Sequence, residues 1–230
     1  MRLKKAFTMV ELLIVIVILA ILASYSIPRF KRDTRSEAIN HILTMIRYTQ
    51  NLALHDTKHS IDSTNWQRSF WRFSIYKCRN SNDLFYKIGT DKDYNKGINR
   101  AETAIDPSNN KFTFWDTRKP CPINTTDALA DQVSPNIFLT RKYGIKSVNF
   151  SSCMVMTNAK KTSSYEYIGF DNFGRPIMSY LASIKPSYWG YMVSKCQITF
   201  NFTDNSTKPF TIIVEPESGY THLAGDTNNL

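Results

Sequence analysis

The segment "KKAFTMVELLIVIVILAILA", Lys4 to Ala23, constrains this chain most: it is apolar enough to sit in lipid, yet it holds a carboxylate, Glu11. From Phe7 to Ile27, Glu11 is the only charge in 21 residues. A helix of that length covers about 31 Å at roughly 1.5 Å per residue, which matches the hydrocarbon core of a bilayer. A secretory signal peptide has the same basic-then-apolar order. Its apolar stretch runs only about 7–15 residues, however, and it needs a small residue at the position this chain fills with Ile21. An acidic side chain deep in a membrane helix costs on the order of 2.5–3.5 kcal/mol, and less near the interface. No Lys, Arg or His lies between Phe7 and Ile27 to offset that cost. A new chain terminus would: a cut just before Phe7 leaves an α-amino group with a pKa of about 8.

Beyond Pro28, "SEAINHILTMIRYTQNLALH" places Ile39, Ile42, Leu43, Ile46 and Ala53 on one helical stripe, with Arg47 and Asn51 pointing elsewhere. The stripe needs a cover. Short aromatic and β-branched runs supply it as strands: "FWRFSIYK", "LFYKI", "KFTFW", "SVNF", "YEYIGF", "QITFNF" and "FTIIVE". The expected fold is α+β. A long N-terminal helix, apolar over 7–27 and amphipathic over 28–60, packs on a mainly antiparallel β-sheet in a domain at 61–230, with a polar insertion around 89–111.

Cys78, Cys121, Cys153 and Cys196 all follow the apolar helix and show no CxxC or His pairing of a zinc site, which points to an oxidising compartment. Four cysteines allow three connectivities, and the sequential one, Cys78 with Cys121 and Cys153 with Cys196, is expected. Basic residues flank the helix almost evenly, Arg2, Lys4 and Lys5 before it and Arg29, Lys31, Arg32 and Arg35 after it, so charge alone does not orient it. The cysteines place the large domain outside the cytoplasm.

No GxSxG, HExxH, P-loop or GxGxxG occurs, so a non-enzymatic role is expected. His55 and His59 share helical spacing, which suits the polar end of a helix better than a metal. "DKDYNKGINRAE" follows most of the calcium loop of an EF-hand, with Asp91, Asp93, Asn95, Gly97 through its carbonyl, Asn99 and Glu102 as the ligand set; Lys96 stands where that loop needs Gly. The formal charge is +10, and +7 without Arg2, Lys4 and Lys5. That excess suits a polyanion: "RFKRDTR" favours anionic lipid, and together with "TRKYGIK" it could meet the phosphates of DNA.

"KKAFTMVELL" resembles the prepilin leader and methylation motif of type IV pilins and type II secretion pseudopilins. The resemblance implies a leader at 1–6, cleavage between Ala6 and Phe7 by a prepilin peptidase, and N-methylation of Phe7. It also implies that Glu11 neutralises a neighbouring subunit's terminus during assembly. Pro28 sits where the family usually has a proline, whereas Ala6 replaces its preferred Gly. "GFDNFGRPI" and "IIVEPESGY" resemble the paired strand-turn signatures of GspH/FimT-type minor pilins, each turn carrying a Gly, Gly174 and Gly219. The implied protein is a structural subunit of a secretion pseudopilus or a type IV pilus, or, alternatively, a DNA-capturing minor pilin of a competence system. Its implied partners are other pilins and an inner-membrane assembly platform. Its implied location is the inner membrane, single-pass, with a cytoplasmic N-terminus and a periplasmic domain.

Overall fold

The computed structural model describes residues 8–26, 33–57, 66–95, 97–122, 130–153, 166–178 and 188–225. They divide into two units, Met1–Thr34 and Arg35–Leu230. The first holds one helix, α1, Met9–Ser26, of 18 residues. It is three residues shorter than the 21 expected, and at roughly 1.5 Å per residue it covers about 27 Å. Among the described residues, no helix is long and apolar enough to cross a membrane. At its start Thr8 takes the cap position before Met9; Ile27, the last residue of the expected helix, lies outside the described residues.

The second unit begins with α2, Thr34–Leu54, which buries Ala38, Ile39, Ile42, Met45, Ile46, Thr49 and Ala53. This is the expected stripe, except that Leu43 lies at its margin, half-buried. The helix ends at Leu54, short of the expected residue 60. Whether it continues from α1 lies outside the described residues, as does Pro28.

Two sheets, not one, take up the stripe. In the first, β1 (Trp71–Lys77) lies between β2 (Leu84–Gly89) and β6 (Glu166–Phe170), and β7 (Pro176–Ile177) extends the far edge, giving the order β2-β1-β6-β7. In the second, the order is β10-β9-β8-β5, from Thr221–Leu223, Phe210–Val214, Cys196–Phe202 and Ile145–Ser151. Every strand pairing in both is antiparallel. The run "KFTFW" yields only β4, Lys111–Phe112, paired with β3, Ile105–Asp106. A short helix, α3, Leu139–Tyr143, closes on Gly144 just before β5.

Strand burial follows the pleat. On β8, Cys196, Ile198, Phe200 and Phe202 face inward, and on β9 Phe210, Ile212 and Val214 meet them. All six positions of β2 are buried, because both its faces are covered. Tyr86 looks to α2, where its hydroxyl meets His41 Nε2 at 2.7 Å, and Phe85 packs on Phe138. Each large side chain so buried contributes about 1.5–3 kcal/mol. Both disulfides are the sequential ones, Cys78–Cys121 and Cys153–Cys196.

The flanks of α2 then fix the two sheets to it. Tyr48 donates its hydroxyl to the Ile105 carbonyl at 3.1 Å, and Arg47 donates twice to the Thr221 carbonyl, at 3.0 and 2.7 Å. Gln50 Nε2 donates to the carbonyls of Gly174, at 2.9 Å, and Ser218, at 2.8 Å, one from each sheet's signature turn. Gly174 (φ 79°) and Gly219 (φ 65°) are both left-handed there. A Cβ on Gly219 would collide with the Gly174 carbonyl and with Gln50 Nε2. The two glycines therefore serve one junction. Gly219→Ala is expected to destabilise the second unit by about 2–4 kcal/mol, from left-handed strain plus overpacking, measured by urea unfolding.

Candidate functional site

The N-terminal candidate is built on the first turn of α1. Glu11 Oε2 accepts from the Thr8 backbone N–H and from its hydroxyl, each at 2.9 Å. The Thr8 hydroxyl oxygen in turn accepts from the Glu11 N–H at 3.3 Å. This reciprocal pair is a capping box, and it sets the carboxylate at the positive end of the helix dipole. Part of the cost of Glu11 is thus offset within its own chain. Both Thr8 donors converge on Oε2, and among the described residues Oε1 accepts no hydrogen bond. Ala6 and Phe7, the expected cleavage site, lie outside the described residues.

The second candidate is the acidic loop after β2. Carboxylate oxygens of Asp91, Asp93 and Glu102 lie within 4.8 Å of one another, with Asp91 and Glu102 buried. The other expected ligands turn elsewhere. Asn95 Oδ1 accepts from the Gly97 N–H at 2.8 Å, and Asn99 Oδ1 accepts from the Ala101 N–H at 2.9 Å, capping the 3₁₀ turn Arg100–Glu102. Glu102 is drawn in by backbone amides: Oε1 accepts from Lys92 at 2.7 Å and Asp93 at 3.2 Å, and Oε2 from Asn99 at 2.9 Å. Among the described residues of this loop Tyr94 is left-handed (φ 59°), held by Arg68 Nη2 on its carbonyl at 2.5 Å. Lys96, at the position where an EF-hand makes its sharp turn, lies outside the described residues. Of the expected ligand set, the three carboxylates are the groups brought together. Hard oxygen donors of this kind suit calcium or magnesium.

A family model described as a prokaryotic N-terminal methylation motif matches residues 1–26, from the leader through the last residue of α1. Residues 1–26 thus carry the methylation motif of a type IV pilin leader. No curated protein and no solved structure matches the chain.

Several charged groups sit in surroundings that no pattern in the sequence marks. Asp106 is fully buried, with Oδ1 accepting from the Ser108 N–H at 2.9 Å and Oγ at 2.7 Å, and Oδ2 from Ser134 Oγ at 2.5 Å and Asn136 Nδ2 at 3.0 Å. Burial pushes its carboxyl up, but these hydrogen bonds outweigh burial and hold it below the usual range. Asp171, also buried, accepts from Arg175 Nε at 2.8 Å and the Tyr191 hydroxyl at 3.0 Å, closing the turn that carries Gly174. His55 binds the Asn51 carbonyl through Nδ1 at 2.9 Å, at the end of α2; His59 lies outside the described residues.

Lys87, on β2, is only 6% exposed. Its ammonium lies 4.7 Å from the ring centres of both Tyr76 and Phe114. Burial lowers its pKa to about 8; Asp116 opposes the shift and Arg118 adds to it. Between that value and the roughly 10.4 of the unfolded chain, the unfolded state binds more protons, so stability rises with pH across the window. Lys87→Met is expected to stabilise the protein at pH 7 by about 1–3 kcal/mol and to abolish the alkaline rise, checked by urea unfolding at pH 7 and pH 10.

Proposed function

We propose that the chain is a structural minor pilin or pseudopilin of the GspH/FimT type. A prepilin peptidase cuts it between Ala6 and Phe7 and methylates Phe7. The apolar helix holds it in the inner membrane with its large unit in the periplasm, and an assembly platform adds it to a short filament of a secretion or pilus machine. The role is mechanical and involves no bond chemistry of its own.

The observation that carries this reading is the capping box. The methylation motif supplies the context, and Thr8 fixes Glu11 through Oε2 alone. The other oxygen is then oriented to accept a neighbouring subunit's terminal amine, whose charge would offset the remaining cost of an acid in lipid. Mass spectrometry of the membrane form is expected to give an N-terminus at methylated Phe7; an intact Met1 in assembled material would overturn the reading. Glu11→Ala is expected to insert normally and to fail in filament assembly, read by shearing and immunoblot.

We also propose that calcium orders the acidic loop, bound by Asp91, Asp93 and Glu102, whose carboxylates already stand within 4.8 Å. Its role would be to hold the segment between β2 and β3. A site outside the cytoplasm works at roughly 10⁻⁴–10⁻³ M, within reach of three carboxylates. Millimolar calcium is expected to raise the melting temperature, and Asp93→Ala, at an exposed position, to abolish that rise. No heat of binding by calorimetry would remove the ion.

A further inference from the structure

Many arginines of the second unit are positioned by neutral groups. Arg35, in the first turn of α2, donates to the carbonyls of Lys208, at 3.0 Å, and Pro209, at 3.5 Å. Arg79 Nη1 donates to the Arg118 carbonyl at 3.3 Å, and Arg141 reaches the Pro122 carbonyl as well as the Asp83 carboxylate at 2.9 Å. A carbonyl orients a guanidinium without cancelling its charge. Across this band, among the described residues of the unit, Arg35, Arg79, Arg118, Arg141, Lys142 and Lys208 meet four carboxylates, of which Glu37, Asp83 and Asp116 pair with Lys142, Arg141 and Arg118 and the fourth is Asp204; Asp33 precedes Arg35. Asp204 spends its oxygens on Ser206 and Thr207.

The band has a definite place. Lys142 lies 3.7 Å from Glu37, in the first turn of α2, and the Thr203 N–H donates to the Gly144 carbonyl at 2.7 Å, joining the loop before Lys208 to the end of α3. The cations therefore ring the end of the unit at which the chain arrives from α1. Among the described residues of this unit, the large apolar side chains exposed are Leu54, Phe173, Tyr188, Trp189, Val193 and Tyr220. Leu54 closes α2, and Phe173 and Tyr220 adjoin the glycines that pack on Gln50 and Leu54. Among the described residues, no large exposed ring lies within the cationic band.

We infer that this band docks the unit on the anionic headgroups of the bilayer that holds α1, through phosphate contacts alone. The inference rests on the membrane-anchored reading above. Tethering raises the local concentration of headgroups at that end far above that of any soluble polyanion. A surface of cations without stacking rings suits phosphates and gives no platform for unpaired bases. In the docked state the unit lies on the membrane; its release on assembly exchanges lipid phosphates for neighbouring subunits.

The test uses the full chain reconstituted into vesicles of phosphatidylcholine, alone or mixed with phosphatidylglycerol. Flotation reads anchoring, and acylation of lysine amines, followed by mass spectrometry, reads docking. Both compositions should float the chain. Only the anionic one should slow acylation of Lys142 and Lys208, by about five-fold, the equivalent of the roughly 1 kcal/mol a basic side chain gains near an anionic surface. Lys195, at the opposite end of β8 from the Thr203 loop, should not change. Added salt, or Arg79→Gln with Arg118→Gln at unchanged melting temperature, should remove the protection. Equal acylation on both floated samples overturns docking while leaving the anchor intact. A chain that floats with neither removes the anchor, and the inference with it. Protection of the same lysines by duplex DNA on phosphatidylcholine, with none from phosphatidylglycerol, would make the band a nucleic-acid surface and overturn the lipid assignment.

Discussion

The second unit depends on one helix serving two sheets. The stripe of α2 supplies the apolar contact, but a stripe alone would let either sheet slide along it. Gln50 removes that freedom, since its amide holds one turn from each sheet by a backbone carbonyl. Arg47 on the Thr221 carbonyl and Tyr48 on the Ile105 carbonyl add two further pins. Hydrogen bonds to backbone are directional, so they set the register that non-directional apolar contact leaves open.

A preference for nearby partners also shapes how the charged groups are held. Carboxylates here are largely consumed by their own loops: Asp106 by Ser108, Ser134 and Asn136, Glu102 by three amides, and Asp204 by Ser206 and Thr207. Arg35, Arg47, Arg68 and Arg79 turn to carbonyls, whereas Arg118, Arg141 and Arg175 pair with acids.

The long aromatic runs were legible as strands because five to seven alternating residues carry a period. The two-residue strands β3 and β7 have none, and they exist because their neighbours hold them: Ile105 through Tyr48, and Ile177 through Tyr191. The division into two sheets was not legible, since alternation gives a strand its faces but not its partner. In the acidic loop the spacing was legible in part: Asp91, Asp93 and Glu102 do converge, their carboxylate oxygens within 4.8 Å of one another, while Asn95 and Asn99 are taken up by local backbone amides, which spacing alone does not reveal. At the N-terminus the signal was present but outweighed. "TMVE" before an apolar run is the pattern of a capping box, and it would have supplied Glu11 with a partner inside its own chain.

The two disulfides close separate stretches that do not overlap, Cys78 to Cys121 and Cys153 to Cys196. A protease cut inside either stretch leaves every fragment on one covalent network. A cut between Pro122 and Ser152 does not: it frees a piece with β6 and the strands after it from a piece with α2, β1 and β2. Those pieces would then be held by the apolar core they share, the β1–β6 ladder, the pairing of β5 with β8 where the cut leaves β5 behind, and the pins of α2. That span, like the chain before Cys78 and after Cys196, has no covalent safeguard, so resistance to proteolysis there reports on packing and pairing alone.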